Sequence, residues 1–135
     1  MAGLTAAQEA FLGNPFVGAV TTLRKDGSPH TTVVWVDYDG GKVRFNTAVG
    51  RAKERHLRDD PRVSVTVVDP GNAYKWVSVE GRGELTTDGA DDHINKLTKK
   101  YLDQDEYPFR GPGEQRISIL ITPERVDSYG FDADS

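Results

Sequence analysis

The residues with the clearest chemical potential are five basic side chains in the middle of the chain. Within twelve residues the sequence carries Arg51, Lys53, Arg55, Arg58 and Arg62. The whole protein nevertheless has a formal net charge of -4. A local basic cluster in an acidic protein indicates an anion-binding site rather than a generally basic surface. A solvated, charged helix face is the alternative interpretation.

This basic cluster begins where a short helix is expected to start. A predicted strand ends at Thr47, and the helix is predicted over residues 51–59. The free N–H groups and the positive dipole end at the start of a helix favour a phosphate group. Arg51 and Lys53 would add full positive charges at that point, so we expect a phosphate to bind there.

Other catalytic constellations are missing from the sequence. The chain has no cysteine, which excludes disulfides, thiolate metal sites and a cysteine nucleophile. The three histidines, His30, His56 and His93, show no metal-ligand spacing, so no metal site is expected. The motifs of serine nucleophiles and of glycine-rich phosphate loops are also absent. If the protein is an enzyme, it therefore takes its chemistry from a cofactor.

The elements that must position the basic cluster are mainly strands. A three-stranded antiparallel meander is predicted over residues 16–23, 29–37 and 42–47. Further strands are predicted over residues 63–68, 74–85 and 116–129, and helices over residues 4–13, 51–59 and 88–102. Six or seven strands joined mostly by hairpins predict an antiparallel barrel with helices outside. So small a barrel has little interior room, and we expect the binding site in an outer groove or between two copies.

The chain length of 135 residues suits a single domain. We expect that domain to span residues 1–135, with an N-terminal helix within residues 1–13 and a flexible tail over residues 131–135. No apolar run approaches the about 20 residues that cross a bilayer, and the start lacks a secretion signal. A cytoplasmic protein without a membrane span is therefore expected. One short basic block in an acidic chain argues against nucleic-acid binding.

Three motifs, in their order along the chain, resemble a known family. They are TTLRKDGSPHTTVVWVDYDGGKVRFNT, GRAKERHLRDDPRVSV and YKWVSVEGRGEL. The combination resembles the flavin/deazaflavin oxidoreductases with a pyridoxamine 5′-phosphate oxidase-like split β-barrel, and within them the small F420-dependent actinobacterial proteins. The similarity extends over about residues 10–130. It implies a mainly β, six- to seven-stranded antiparallel split β-barrel that forms a homodimer, with each cofactor in a groove between the two chains.

The resemblance also implies which residues bind the cofactor. Arg51 and Lys53 match the positions that hold the phosphate, and Arg55 would meet the acidic tail of coenzyme F420 or be solvated. The positions that border the planar ring and the polyol chain are Val33, Val34, Trp35, Asn46 and Thr47.

Two aromatic residues complete the implied site. Tyr74 and Trp76 match a pair that reaches the ring pocket from the second chain, and their i, i+2 spacing puts both on one face of a strand. Packing in the barrel or the dimer is the alternative role for both of them and for Trp35.

The implied function is an F420-dependent reductase that transfers a hydride to a small conjugated or quinone-like acceptor. One alternative is an FMN-dependent oxidoreductase of the pyridoxamine phosphate oxidase type, and another is a non-catalytic carrier of F420 or haem. The FMN-dependent alternative ranks lower because the C-terminal portion offers only Arg110, Arg116 and Arg125 for a substrate phosphate. No catalytic residue is identified. Water and three side chains are candidate proton donors, the side chains being Tyr74, Tyr107 and His30.

Overall fold

The structure is a computed structural model that describes residues 3–131. Along these residues it forms three helices and seven strands. The helices are α1 Ala6–Leu12, α2 Ala52–Asp59 and α3 Ala90–Leu102. The strands are β1 Gly18–Leu23, β2 Pro29–Val34, β3 Asp37–Asp39, β4 Lys42–Ala48, β5 Arg62–Asp69, β6 Asn72–Thr86 and β7 Arg116–Tyr129. The predicted mainly β class is confirmed.

All seven strands belong to one antiparallel sheet with the order β2-β1-β5-β6-β7-β4-β3. The central strands supply most of a single apolar core, including Val20, Phe45, Val65, Val79 and Ile119. These side chains alternate with more exposed ones along β1 and β5, as a sheet with one buried face requires. The two ends of this sheet, β2 and the β3–β4 hairpin, are not paired with each other.

The predicted meander is wrong beyond its first hairpin, because β4, the predicted third strand, pairs with β3 and β7 and not with β2. The segment over residues 29–37 reads as one strand, but β2 ends at Val34 and a new strand begins at Asp37. The break occurs because side chains of α3 form hydrogen bonds with the backbone N–H and carbonyl of Val36, which are then not available to a strand. The Val36 N–H donates to Tyr101 Oη at 3.0 Å, and Lys100 Nζ donates to the Val36 carbonyl at 2.6 Å. The chain thereby crosses from one end of the sheet to the other.

The start of α1 and an irregularity in β6 follow local rules. Thr5 caps α1 in a reciprocal arrangement with Gln8, a known stabilising pattern. In β6 the register shifts between Glu80 and Gly81. A Cβ atom on Gly81 would lie 2.1 Å from the Thr122 carbonyl oxygen, so only glycine fits this close contact between strands.

The two ends of the predicted domain lie partly outside the described residues. Phe131, the first residue of the predicted tail, packs edge-on against Phe11 with ring centroids 5.4 Å apart. The rest of that tail, residues 132–135, and residues 1–2 are not described. Among the described residues, none of the helices combines the length and the apolar character that crossing a membrane requires.

Candidate functional site

A cavity of about 250 Å³ opens between the two ends of the sheet. The end of β2 borders it on one side, the second half of β4 borders it on the other, and the start of α2 closes one end. Seven of the ten predicted cofactor-binding residues border this cavity: Val33, Val34, Trp35, Asn46, Thr47, Arg51 and Lys53. The sequence therefore anticipated most of one continuous surface.

The cavity lies between two strand edges that have only one sheet neighbour. Strand β3 pairs with residues 42–44 of β4, so residues 45–48 pair with β7 alone. On the other side, β2 pairs only with β1. Free strand edges carry backbone donors and acceptors that need partners. The cavity can thus offer main-chain hydrogen bonds to the edge of a planar heterocycle.

Lys53 brings an unmatched positive charge to the cavity. Its Nζ donates to Thr32 Oγ1 at 3.0 Å, and within residues 3–131 no carboxylate forms an ion pair with it. Burial lowers the pKa of Lys53, and the nearby Arg51 charge lowers it further. A half-buried cation without a counter-charge is costly. Lys53 is therefore suited to an anion that comes from outside the chain.

A buried carboxylate bridges two other cations at the cavity. Glu114 Oε1 accepts from Arg51 Nη2 at 2.6 Å, and Glu114 Oε2 accepts from Arg116 Nη1 at 3.0 Å. The Glu114 side chain is 8% exposed and that of Arg116 is 3% exposed. Neither was predicted as a cofactor-binding residue, because both approach Arg51 only through the path of β7 and its preceding loop. The sequence carried no local signal for this bridge.

The Asn46 side chain is committed to holding Arg116 in place. Its Oδ1 accepts from Arg116 Nε at 2.9 Å, and its Nδ2 donates to the Ala90 carbonyl at 3.0 Å. The amide therefore supports the cavity wall from behind. Whatever Asn46 offers to a ligand comes from its backbone.

Behind this wall lies a buried polar network. Arg44 donates two hydrogen bonds to the Asp37 carboxylate, at 2.9 and 2.7 Å. His93 Nε2 lies 3.4 Å from Asp37 Oδ1, and His93 Nδ1 lies 2.7 Å from Ser118 Oγ. Burial alone would raise the pKa of Asp37, but His93 and Arg44 together lower it to about 2. This network fixes β3, β4 and β7 to one another next to the cavity.

Aromatic side chains form the apolar wall of the cavity. The Trp35 ring stacks on Tyr101, with centroids 5.4 Å apart and planes 11° from parallel. Tyr107 meets Trp35 edge-on at 6.2 Å, and Phe109 meets Tyr107 at 5.7 Å. The Arg116 guanidinium lies 4.8 Å from the centre of the Tyr107 ring. Trp35 thus packs against the protein and borders the cavity at the same time, and its contact with a cofactor ring stays a prediction.

Three predicted cofactor-binding residues lie outside the cavity of this chain. Arg55 Nη1 donates to the Gly50 carbonyl at 2.9 Å. Tyr74 is 76% exposed, and Trp76 borders a separate groove with Thr66 and Ser78. Contact of Tyr74 and Trp76 with a cofactor would require a second copy of the chain, so their role remains a prediction.

The candidate proton donors are likewise separated. Tyr107 borders the cavity, whereas His30 packs edge-on against His56 at 5.1 Å, away from it. Tyr74 is exposed, as described above. In residues 3–131, no group of three or more histidine, aspartate or glutamate side chains is arranged to hold a metal ion.

The chain is similar to a known family over almost its whole length. Residues 4–130 match the pyridoxamine 5′-phosphate oxidase family. The chain is a member of that family. Membership confirms the family predicted from the sequence and its split β-barrel fold, and the predicted class of enzyme, an oxidoreductase, agrees with it.

Individual family members and solved structures are similar to almost the whole chain. An F420H2-dependent biliverdin reductase of Mycobacterium tuberculosis is 26% identical over 117 residues, covering 87% of this chain and 82% of that protein. A solved F420 reductase is 28% identical, with a TM-score of 0.79, covering 92% of this chain and 98% of that one. The conserved hypothetical protein Rv2991 of M. tuberculosis is 23% identical, with a TM-score of 0.73 and coverage of 93% and 84%. This last likeness shows the fold alone.

The cavity fits part of a flavin or deazaflavin cofactor. It combines an aromatic wall, free strand edges and an unmatched cation, which suit a flat ring system joined to a phosphate. Its volume of about 250 Å³ is below the roughly 300–1,000 Å³ of pockets that enclose a whole small ligand. The remainder of such a cofactor would therefore extend beyond the single chain.

Proposed function

We propose that this protein is an F420-dependent oxidoreductase that reduces a small conjugated or quinone-like acceptor. The observation that carries the proposal is Lys53, a half-buried cation at the cavity that no described carboxylate neutralises. The F420-dependent relatives, at 26% and 28% identity, support the choice of cofactor.

In this proposal each part of the cavity has a separate task. Lys53 and Arg51 hold the phosphodiester at the start of α2, where the N–H groups of the helix add to the attraction. Trp35 and Tyr107 cover the flat ring and keep water away. The free edge of β4 orients the ring through backbone hydrogen bonds. When bound, reduced F420 supplies a hydride, and the protein contributes orientation and exclusion of water.

The acceptor also requires a proton when it takes up a hydride. Water and Tyr107 are the candidates that can reach the cavity, since Tyr107 borders it. Replacing Tyr107 with Phe keeps the ring that packs on Arg116 and removes only the hydroxyl. If Tyr107 donates the proton, turnover falls while F420 affinity stays within about twofold. Unchanged turnover assigns the proton to water.

We propose further that two copies of the chain complete the site. The face around Trp76 exposes apolar side chains at Val68, Tyr74 and Tyr129, and a contiguous apolar surface of this kind marks an interaction site. A partner chain bringing Tyr74 and Trp76 over the cavity would enclose what the small cavity leaves open. Sedimentation should give twice the chain mass of 14.9 kDa, and a monomer contradicts this arrangement.

A titration tests the proposal and ranks the cofactors. The protein has two tryptophans, Trp35 and Trp76. F420 bound between Trp35 and a Trp76 brought by the partner chain should quench the fluorescence of both in the micromolar range or below, so Trp35→Phe and Trp76→Phe should each lose part of the signal. Absence of quenching by both F420 and FMN contradicts both enzyme proposals. Binding of F420 without reoxidation by enones or quinones favours a carrier.

A specific observation keeps FMN as the second candidate. Arg116 is a third cation at the cavity, and the phosphate of FMN carries a larger charge than a phosphodiester. FMN is ranked second because Glu114 already neutralises part of the charge of Arg51 and Arg116. Tighter binding of FMN than of F420 in the same titration would reverse this ranking.

A further inference from the structure

The carboxylate of Glu114 lies against the basic end of the cavity, where it contacts two of the cations that line it. It contacts Arg51 at 2.6 Å and Arg116 at 3.0 Å, and its side chain is 8% exposed. Three cations, Arg51, Lys53 and Arg116, therefore face one internal anion. The cavity has positive charge left for a ligand, but less than its basic residues alone suggest.

Glu114 is held firmly enough to stay when a ligand binds. Arg116 is almost fully buried and anchored by Asn46 and by the Tyr107 ring. A buried guanidinium that lost its carboxylate would be left with an uncompensated charge, which is strongly unfavourable. An incoming phosphate can replace Glu114 at the more exposed Arg51, but not at Arg116. Glu114 would then remain next to the bound phosphate.

Two kinds of phosphate respond differently to such a neighbour. A phosphomonoester such as that of FMN carries a charge between -1.5 and -2 at neutral pH, because its second pKa is about 6. A phosphodiester such as that of F420 carries a single negative charge. The repulsion from a nearby carboxylate grows in proportion to the ligand charge. It therefore weakens binding of the phosphomonoester more.

We propose that Glu114 is a specificity-determining residue that weakens the binding of a phosphomonoester more than the binding of a phosphodiester. This inference rests on the proposed function, because it takes Arg51 and Lys53 to be the phosphate site. It adds a reason for the choice of cofactor, because this one carboxylate weakens the binding of FMN more than that of F420.

The test compares three ligands with one conservative variant. Glu114→Gln keeps the shape of the side chain and removes its charge. Affinities for F420, FMN and riboflavin, which has no phosphate, are measured by tryptophan quenching. The variant should bind FMN about tenfold more tightly than the wild type, as expected for removing one nearby charge from a dianion. F420 affinity should change by about threefold at most, and riboflavin affinity should not change.

Two further variants separate the local effect from other causes. Glu124→Gln removes the same charge from an exposed position on β7 and should leave all three affinities unchanged. The double variant Glu114→Gln, Arg116→Gln removes both members of the buried pair and leaves the total charge of the cavity as in the wild type. It should return the ratio of FMN to F420 affinity to within about threefold of the wild-type ratio. This variant also decides the question if Glu114→Gln alone fails to fold.

The outcomes distinguish this inference from the proposed function. Wild-type binding of F420 with an affinity ratio that Glu114→Gln leaves unchanged overturns the role of Glu114 alone. Wild-type preference for FMN overturns the choice of F420 as the cofactor in the proposed function. Failure of the wild type to bind either F420 or FMN overturns the proposed function, and the inference with it.

Discussion

The two halves of the basic cluster differ in where their charges are neutralised. At the start of α2, Arg51 and Lys53 border the cavity. Further along, Arg58 pairs with Glu54, and Arg62 pairs with Asp60 at 2.7 Å. The second half is neutralised by acids two or four residues away, whereas Lys53 has no such partner among the described residues. A basic residue is available for a ligand only when its own neighbours leave it free.

Glu54 is the residue that separates the two halves. Its side chain is 2% exposed, and it accepts the Gly50 N–H at 2.7 Å as well as the Arg58 contact. It thus anchors the start of α2, where Arg51 is the N-cap residue without a side-chain capping bond. The positive charge of Arg58 near the end of α2 therefore contributes to stability, whereas that of Lys53 near its start is available to bind a ligand.

The largest expected effect comes from removing the free charge. Lys53→Met keeps the apolar stem that fills the half-buried site and removes the ammonium. F420 affinity should fall by about 1.5–3 kcal/mol, roughly tenfold to 150-fold, because one charge-assisted contact is lost. Arg58→Met removes the same charge from the other half and should change affinity by less than about twofold. Equal losses of F420 affinity in the two variants, measured by fluorescence titration, would contradict the proposed difference between the two halves.

A charge that is neutralised within the protein should contribute to the free energy of unfolding instead of to ligand affinity. Asp37, which lies away from α2, tests this expectation. The pKa of Asp37 is about 2 in the folded protein, against 3.8 ordinarily. The contribution of the Asp37 carboxylate to the free energy of unfolding is therefore fully present above pH 3.8 and is lost as the pH falls towards 2. The contribution is roughly 2 kcal/mol.

Urea unfolding between pH 2 and 7 measures this effect. Asp37→Asn should be less stable than the wild type at pH 7, and the difference should shrink as the pH falls through 3.8. Asp88→Asn is the control, since Asp88 is exposed and forms no ion pair within the described residues. A constant difference across the pH range contradicts the proposed contribution of the Asp37 network.

Glu54→Gln should have a smaller effect on the free energy of unfolding. Glutamine retains an acceptor for the Gly50 N–H but loses the charge that strengthens it and the pair with Arg58. We expect a loss of about 1 kcal/mol in urea unfolding. F420 affinity should stay within about threefold, because the variant leaves Lys53 in place. A large loss of affinity with unchanged stability would place Glu54 in the binding site instead.

The smallest effect is expected at the exposed end of the cluster. The ion pair of Arg62 with Asp60 is largely solvent-exposed, and such pairs contribute little to stability. Arg62→Ala should therefore change the midpoint of thermal unfolding by about 2 °C or less and leave F420 affinity unchanged. A clear loss of affinity would extend the phosphate site along the whole cluster.

Local patterns predicted most of the fold and much of the cavity. The capping box at Thr5, the turn-linked strands and the apolar stripe of α3 are all short-range features. Of the residues that border the cavity, the basic pattern at the start of the predicted helix indicated Arg51 and Lys53, and the resemblance to the family supplied those on β2 and β4. Seven of the ten predicted binding residues consequently border one surface.

The features that were not predicted from the sequence depend on contacts between distant segments. Glu114 and Arg116 reach Arg51 across more than sixty residues, and no spacing rule links them. The break after Val34 is caused by Tyr101, which is 65 residues from Val36. In the proposed dimer, the position of Tyr74 and Trp76 relative to a cofactor would depend on a second chain, which no pattern within one chain describes.

The tethering of Val36 has a consequence for how this protein could acquire new acceptors. Tyr101 and Lys100 hold the only crossing between the two ends of the sheet within the described residues, and Lys100 also donates to the Leu12 carbonyl at 2.6 Å. The distance between the two ends of the sheet thus depends on two side chains that do not line the cavity. Directed evolution towards bulkier compounds should accordingly recover changes at these two helix positions as well as in the visible lining.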